Sequence, residues 1–355
     1  YQISQYDEPI CEHGFIDLNF ILEENCRNKA RIGITRVHME EDTATLTHES
    51  CYSERSKKSE IGYSSQAPQD NSAYSLVNFN RAGVPLVEIV SDPNIQSSIE
   101  AKKYCQELQL IFRYLGISDA DMEKGQMRCE ANISLQEEGK FEIKNGTVNP
   151  LGKYKLNNKV ELKNLNSFKA VEKGIEFEIK RQTKLIEKGE FFTQQTRGWD
   201  ENKQETIMQR EKETAADYRY FPEPDIPPFE PLKICPEIKI GELPQAKRAR
   251  FVSEYGFSFA DAQILTNNQT WSEFAEEVMS ELYDWLHNLP ETAKKTDKEI
   301  SIYKIELAKL AGSWITNKLM GELTKQKKDI FDFKTSPENF AELISLIQQN
   351  FLAKF

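Results

Sequence analysis

Apolar and polar residues alternate in the first third of the chain in a pattern that predicts β-strands. The strand-like stretches are residues 32–42, 74–80 and 85–90. The turn residues Asn-Arg-Ala-Gly at 80–83 separate the last two stretches, so we expect a hairpin there. Residues 52–72 are polar and have no period, which indicates a surface loop.

Between residues 98 and 188, the spacing of apolar residues alternates between the period of a helix and that of a strand. Apolar residues three and four apart predict a helix over 98–115, with Gly116 as its C-terminal cap. Residues 127–135 alternate strictly, which predicts a strand, and a second strand over 160–165 precedes a helix over 167–188. Strands and helices mixed in this way, with hairpins, predict an α+β fold with an antiparallel sheet.

Proline usage marks a boundary after this region. Six of the 14 prolines lie between residues 222 and 236, and this density indicates a linker because proline interrupts helices and central strands. The chain beyond it has an apolar period typical of helices. The predicted helices cover residues 244–255, 258–266, 270–288 and 300–326, and a final helix that begins near Ser336.

Composition narrows the class of protein. The chain has 355 residues, 39% of them hydrophobic, and contains no apolar run of the ~18 to 20 residues that a membrane helix needs. The net charge of -11 disfavours indiscriminate binding to a polyanion but leaves room for a local basic patch. We therefore expect a globular protein of two or three domains, with neither membrane nor DNA as a partner.

The cysteines and the first residue bear on the cellular context. Six cysteines are scattered without a Cys-x-x-Cys pair, which argues against a zinc ribbon or a disulfide framework. Free thiols and the lack of a signal peptide fit the cytoplasm. Because the chain begins at Tyr1 rather than at Met, we expect a fragment. The four histidines have no visible partner in the sequence, and we interpret them as surface or structural residues.

Glu88 is the residue that stands out physically. Its neighbours in the stretch Pro-Leu-Val-Glu-Ile-Val are apolar on both faces, so we expect this strand to be buried. A lone buried carboxylate is costly unless it is paired or bound to a cation. Two interpretations remain open: a salt bridge to Arg81 or Arg128, or a ligand of a hard cation such as Mg²⁺.

Other charged residues could belong to the same site. Glu41 ends the strand over 32–42 on the face of Val37 and Met39, and we expect it to point inward with Glu88. Opposite charges in one cleft suit phosphoryl transfer, in which catalysis is mostly positioning and charge neutralisation. The polar residues expected to line the same cleft are Arg128, Glu130, Asn132, Glu161 and Lys163.

These residues lie in a sequence that resembles a known family. Residues 78–93, NFNRAGVPLVEIVSDP, closely resemble the signature of the B subunit of the tRNA-dependent Asp/Glu amidotransferases. Further similar segments follow in the same order along essentially the whole chain. They are residues 1–10, 31–42, 122–135, 160–168, 194–200, 217–228 and 335–344.

The resemblance implies a ligase that forms C–N bonds with glutamine as the amido donor. The B subunit of the family uses ATP and Mg²⁺ to phosphorylate the side-chain carboxylate of mischarged Glu-tRNA(Gln) or Asp-tRNA(Asn). Ammonia from a glutaminase A subunit then displaces the phosphate, and a small C subunit holds A and B together. The implied fold is a glutamine-synthetase-like antiparallel cradle, a helical domain and a tail domain that bind tRNA.

The resemblance also implies domain limits and alternatives. We expect the catalytic cradle over 1–232, without its N-terminal part, the helical domain over 238–334 and the start of the tail domain over 335–355. We expect the N-terminal family segment that supplies further site ligands to be missing from this chain. Two alternatives remain: the archaeal-type E subunit, and a tRNA-binding scaffold without catalysis.

Site residues follow from the resemblance and from the charge pattern. By position, Glu41 and Glu88 match the family acids that hold the catalytic metal, and Arg197 and Arg219 join the cleft residues because they lie in shared motifs. The densest basic clusters of the helical part are the candidates for tRNA binding. These clusters are Lys247, Arg248 and Arg250, and Lys325, Lys327 and Lys328.

Overall fold

The computed structural model describes most of the chain. The described residues are 3–19, 29–49, 74–144, 146–211, 223–228, 230–234, 238–288 and 296–349. The predicted loop over 52–72 and the candidate Arg219 lie outside them. The chain divides into two compact units, each built from three segments. The first unit comprises Tyr1–Gln96, Ser134–Asn158 and Glu211–Pro236, and the second comprises Ser97–Ile133, Lys159–Arg210 and Glu237–Phe355.

The first unit contains a three-stranded antiparallel sheet and two separate hairpins. Its strands are β1 (Cys11–Asn19), β2 (Lys29–Glu41), β3 (Thr45–Glu49), β4 (Tyr74–Asn78), β5 (Pro85–Ser91), β7 (Phe141–Lys144) and β8 (Thr147–Pro150). The sheet has the order β1-β2-β5, while β3 pairs with β4 and β7 pairs with β8.

The predicted hairpin between residues 74–80 and 85–90 is wrong, because these two strands belong to different sheets. The backbone of the turn between them bonds to the end of β2: the Gly83 N–H donates to the Asp42 carbonyl, and the Asp42 N–H donates to the Val84 carbonyl. The turn therefore leads the chain from β4 to a new partner.

The prediction that the strand around Glu88 is buried is also wrong. In the described part of the chain β5 is an edge strand of its sheet, and Val87 is 52% exposed. The Glu88 side chain is 48% exposed. The apolar core of this sheet lies instead on β1 and β2, where Ile16 and Ile32 are buried opposite each other.

The second unit begins with two helices and a mixed sheet. Its helices are α1 (Ser98–Tyr114) and α2 (Phe168–Glu187), and its strands are β6 (Cys129–Ile133), β9 (Val160–Leu165), β10 (Gln195–Asp200) and β11 (Glu205–Glu211). The strand order is β11-β10-β9-β6. The pair β6/β9 is antiparallel and the pair β9/β10 is parallel. The α+β class is confirmed, but the sheet is not purely antiparallel.

Local sequence explains where these two helices begin and what they pack on. The hydroxyls of Ser97 and Ser167 accept hydrogen bonds from backbone N–H groups of the first turns of α1 and α2, which satisfies donors that a helix start leaves free. Gly116 follows α1 with a φ of 65°, as the predicted cap requires. At Gly174 of α2 a Cβ would lie 3.0 Å from Leu162 of β9, so glycine permits this close packing.

The rest of the second unit is helical, as the apolar period predicted. After the short helix α3 (Pro231–Ile234) of the first unit come α4 (Pro244–Arg250), α5 (Phe259–Thr266), α6 (Gln269–Asn288), α7 (Asp297–Ser313), α8 (Met320–Lys325) and α9 (Pro337–Gln348). Their shared core includes Phe251, Leu265, Met279 and Ile315, all fully buried. Among the described residues, no helix combines the length and the apolar character needed to cross a membrane.

Candidate functional site

The two predicted metal ligands lie on opposite faces of the first unit's sheet. In the register of β2 with β5, His38 is opposite Glu88, whereas Glu41 is opposite Pro85. Directly paired residues of an antiparallel pair point to the same side, and neighbours along a strand alternate. Glu41 therefore points away from the side that carries Glu88. The register thus does not favour a cation shared by these two carboxylates, and their role as metal ligands stays a prediction.

The residues that the structure gathers around Glu88 are His38 and Glu40. The His38 Nε2 atom lies 3.7 Å from Glu88 Oε2 and 3.2 Å from Glu40 Oε1. Ligand atoms of the three residues all lie within 4.8 Å of one another. Sequence reasoning missed both neighbours, although the spacing of two residues already placed His38 and Glu40 on one strand face.

The surroundings hold this group in place from one side. His38 is fully buried, and the Tyr6 ring meets the imidazole edge-on with 5.8 Å between the ring centres. The Ser4 hydroxyl donates a 2.9 Å hydrogen bond to Glu40 Oε1, and the Glu40 side chain is only 13% exposed. Glu88 is half-exposed, so it forms the open side of the group.

This donor set fits a divalent cation. Imidazole nitrogen and carboxylate oxygen are common metal ligands. Around an ion with ligands at about 2.1 Å, two neighbouring ligand atoms at right angles lie about 3.0 Å apart. The observed separations from His38 to Glu40 and Glu88, 3.2 Å and 3.7 Å, are close to that value. Arg81, one of the partners considered for Glu88, places its Nε 2.9 Å from Asp42 Oδ2.

The second unit gathers four of the predicted cleft residues on one face of its sheet. The Lys163 Nζ lies 3.2 Å from Glu130 Oε2 and 3.6 Å from Glu161 Oε1, and Asn132 is opposite Glu161 in the register. The Thr196 hydroxyl donates a 2.8 Å hydrogen bond to Glu161 Oε2. These four side chains thus lie on one face of the sheet, and their role as cleft residues stays a prediction. Arg128 is exposed and directly precedes β6.

Electrostatics keep Lys163 charged. Partial burial by itself lowers the pKa of Lys163, but attraction to Glu130 and Glu161 outweighs it, so that the net pKa is raised. The ammonium group is one-third exposed. The protonated ammonium group therefore lies between two carboxylates on an accessible sheet face.

Arg197 does not join this group, contrary to the prediction. It pairs with Leu162 in the parallel register, and Leu162 is buried against α2, so Arg197 points to the helix side of the sheet. There its Nε lies 3.7 Å from the fully buried carboxylate of Glu178 and donates a 2.9 Å hydrogen bond to Thr206. Burial, followed by repulsion from Arg181, lowers the pKa of Arg197. Its contacts are internal.

The predicted basic patch on α4 is not a free patch. Lys247 and Arg248 are buried, and the Lys247 Nζ lies 3.2 Å from Glu276 Oε2. Arg248 pairs with Glu107 of α1 at 3.4 Å. Arg250 forms ion pairs with Glu242 and Glu276, which raise its pKa. The physical reason is that three carboxylates from other elements already neutralise these cations.

The second predicted patch is accessible. Lys325, Lys327 and Lys328 are exposed at and beyond the end of α8, and Lys325 forms a surface ion pair with Glu322 at 2.9 Å. Surface pairs of this kind hold a side chain only weakly. A role of these lysines in binding tRNA stays a prediction.

Comparison with known proteins adds the family. A sequence model of the GatB/GatE catalytic domain matches residues 1–234, and a model of a further GatB domain matches residues 298–354. Three similar relatives are each named as the B subunit of an aspartyl/glutamyl-tRNA(Asn/Gln) amidotransferase. The proteins of Trichormus variabilis and Synechococcus sp. are each 41% identical, over 351 and 352 residues, and that of Nostoc punctiforme is 39% identical over 351.

The alignments cover nearly all of this chain but a smaller fraction of each relative. Each alignment includes 98% of this chain but 61% of the relative. The chain thus spans about three-fifths of the length of the curated relatives that it matches.

Proposed function

Because this chain belongs to the GatB/GatE catalytic-domain family, we propose that it performs the ATP-dependent step of tRNA-dependent amidation. It phosphorylates the side-chain carboxylate of a mischarged Glu-tRNA(Gln) or Asp-tRNA(Asn). Ammonia then displaces the phosphate and yields the amide. The names of the relatives support a B subunit rather than an archaeal-type E subunit.

The observation that carries this proposal is the cluster of His38, Glu40 and Glu88. Its ligand atoms suit the divalent cation that the family implies. A bound Mg²⁺ would neutralise the charge of the ATP phosphates. Glu88 lies on the open side of the cluster, where the chain would hold the cation within reach of a phosphate oxygen.

Lys163 is the proposed anion-binding residue of the second unit. Its raised pKa keeps the ammonium charged, and Glu130 and Glu161 fix the Nζ position from two sides. A fixed cation of this kind binds a carboxylate or a phosphate that carries negative charge in the transition state. Asn132, on the same face, would add an amide donor. Arg128 and Arg219 stay candidates for the same reaction.

The partners follow from the same proposal. A glutaminase A subunit supplies ammonia, a small C subunit completes the complex, and the exposed lysines at and beyond the end of α8 contact the tRNA backbone. These three lysines are Lys325, Lys327 and Lys328.

The test is mischarged-tRNA-dependent ATP hydrolysis by the full-length protein. With ATP, Mg²⁺ and Glu-tRNA(Gln), we expect ADP release that requires the mischarged tRNA. Glu88→Gln should abolish it, because a neutral amide binds a hard cation poorly. Glu142→Gln is the matched control, since Glu142 lies on the hairpin strand β7 and pairs with Lys144. No ADP release from the wild type would favour the scaffold alternative, and ADP release that does not depend on the mischarged tRNA would contradict the proposed substrate.

A further inference from the structure

We propose that Asp92 and Thr35 are positioning residues, which hold one extra residue in β2 and thereby set its register with β5. That register brings His38 and Glu88 to the same side of the sheet. This inference rests on the proposed function, because it concerns how the chain assembles the residue group that this function uses. It adds no residue to that group and assigns the contacts that keep the group together.

β2 contains a β-bulge on the side that faces β5. Before the bulge, Ile34 pairs with Ser91, and after it Arg36 pairs with Val90. The chain thus advances by two residues in β2 and by one in β5, so Thr35 is the extra residue. On its other side β2 keeps a constant register with β1. The irregularity therefore belongs to the pairing of β2 with β5.

The extra residue decides which side chain meets Glu88. If the register of the first part of β2 continued without a bulge, Glu88 would be opposite Val37 instead of His38. A shift of one residue exchanges the two faces of a strand, so His38 would then lie on the face opposite to Glu88. β-bulges re-aim side chains next to active sites in this way.

Asp92, the residue that follows β5, makes two hydrogen bonds to the bulge. The Thr35 hydroxyl donates a 2.6 Å hydrogen bond to Asp92 Oδ1, and the Asp92 N–H donates a 2.8 Å hydrogen bond to the Gly33 carbonyl. A bulge leaves its extra residue without a regular partner in the ladder. The carboxylate supplies that partner through the side chain of Thr35.

Two glycines leave room for the Asp92 carboxylate. A Cβ at Gly33 would overlap Asp92 Oδ2, and a Cβ at Gly146 would lie 3.0 Å from Asp92 Oδ1. Gly146 has a φ of 69° and directly precedes β8, so the turn of the β7/β8 hairpin also lies against the carboxylate. Backbone on two sides thus restricts where the Asp92 side chain can go.

The first experiment measures the register directly in the full-length protein. One pair of substitutions, His38→Cys with Glu88→Cys, reports the observed register, and Val37→Cys with Glu88→Cys reports the register without the bulge. Directly opposite residues lie within disulfide distance, whereas residues that point to opposite faces cannot be bridged. Glutathione disulfide is the oxidant, and peptide mapping by mass spectrometry identifies the bridge. With Thr35 and Asp92 in place we expect only the 38/88 bridge.

Variants of the bulge should change which bridge forms. Thr35→Val removes the hydroxyl, and Asp92→Ala removes its acceptor. Each should lower the yield of the 38/88 bridge at least about fivefold and allow the 37/88 bridge, because the register shifts by one residue. Thr35→Ser keeps the hydroxyl and should preserve the 38/88 bridge. Thr45→Val is the matched control, since Thr45 is an exposed threonine of β3, and should change neither bridge.

The second experiment separates positioning from a loss of folded protein. It follows tRNA-dependent ADP formation in the protein without the added cysteines. Thr35→Val should raise the Mg²⁺ concentration that gives the half-maximal rate at least about tenfold, as the loss of a group that orients metal ligands does. The KM for mischarged tRNA should change by less than about twofold. A merely structural role would lower kcat through the amount of folded protein and leave both concentrations unchanged.

The inference is overturned if neither Thr35→Val nor Asp92→Ala shifts the bridge from 38/88 to 37/88, or if Thr35→Ser behaves like Thr35→Val. If Asp92→Ala does not fold, Thr35→Val, which removes a single hydroxyl, still decides. The proposed function is judged separately. Absence of tRNA-dependent ADP release from the wild type rejects that function and leaves the bridging result valid, whereas normal ADP release with unchanged bridges in the variants rejects only this inference.

Discussion

The sheet face around Lys163 and the helix α4 carry similar charged residues but use them differently. Lys163 meets Glu130 and Glu161 on an open sheet face and stays one-third exposed. Arg248 of α4 is 10% exposed and meets Glu107 of α1, which is equally buried. The first arrangement leaves a cation accessible to a ligand, and the second uses its cation to hold α1 against α4. A run of charges therefore indicates a binding surface only where its side chains remain accessible.

The α4 region extends this internal network through several polar groups. The Tyr114 hydroxyl of α1 donates a 2.9 Å hydrogen bond to the Thr266 carbonyl, and lies 3.2 Å from the Ser272 hydroxyl. Lys247 reaches the same Ser272 hydroxyl at 3.3 Å. Because these groups are buried or nearly so, losing one partner leaves the other unsatisfied.

The largest effect that we expect is on stability. Arg248→Ala should lower the free energy of unfolding by about 3 kcal/mol, because it leaves Glu107 without its ion-pair partner. Urea denaturation of the full-length protein followed by circular dichroism measures it. Lys328→Ala, an exposed lysine, is the control and should change stability by less than about 0.5 kcal/mol. Equal effects of the two substitutions would remove the contrast between α4 and an exposed basic cluster.

A second effect concerns activity. Lys163→Met should reduce tRNA-dependent ADP formation by about 100-fold, because it removes a charge that stabilises the developing anion. Its stability should change little, since exposed ion pairs contribute less than about 1 kcal/mol. Lys159→Met is the matched control: Lys159 is exposed and directly precedes β9. A normal rate with Lys163→Met would mean that the open sheet face binds no reacting group.

A smaller effect concerns the salt dependence of tRNA binding. Replacing Lys327 and Lys328 with Gln should reduce the slope of log K against log salt concentration by about 0.7 to 0.9 for each lost phosphate contact. Filter binding at several salt concentrations measures the slope. Lys180→Gln on α2, an exposed lysine paired with Glu176, should leave the slope unchanged. If the slope is unchanged in the Lys327 and Lys328 variant as well as in Lys180→Gln, Lys327 and Lys328 make no contact with tRNA phosphates.

The smallest effect that we expect concerns the pH at which the Tyr283 hydroxyl, in the helical region, loses its proton. Burial, followed by repulsion from Tyr255 and Glu254, raises the pKa of Tyr283 to about 12. A raised folded-state pKa favours the protonated phenol, so this contribution to stability is complete below the unfolded pKa near 10 and disappears as pH rises towards 12. The difference in absorbance at 295 nm between wild type and Tyr283→Phe measures it. A difference spectrum that develops near pH 10 would contradict the burial of this hydroxyl.

Local periods were enough to predict which polar side chains of two neighbouring strands share a sheet face. Strict alternation over 127–135 placed Glu130 and Asn132 on the polar face of their strand, and the structure brings them together with Glu161 and Lys163 of the strand predicted over 160–165. Alternation is a property of the extended backbone itself, so it needs no knowledge of distant residues. The pairing of β6 with β9 then placed the polar residues of the two strands on the same face of the sheet.

The failures arose where a second element decides the outcome. Glu41 and Glu40 are equally plausible ligands in the sequence, and only the register of β2 with β5 selects Glu40 as the neighbour of Glu88. Arg197 was assigned to the cleft from its motif, but the parallel register with Leu162 turns it towards α2. A shift of one residue in register exchanges the two faces of a strand, and no local signal fixes that choice.

The sequence by itself determined the positions of most described helices and of five of the eleven described strands, the α+β class and the family, because caps, apolar periods and long motifs are local. Only the tertiary structure decided which charges are accessible and which acids share a site. Arg248 and its partner Glu107 are 141 residues apart, and burial between them turns a predicted tRNA contact into an internal ion pair. His38 and Glu88 likewise meet only through strand pairing. Such contacts depend on how distant segments pack, which local propensity does not encode.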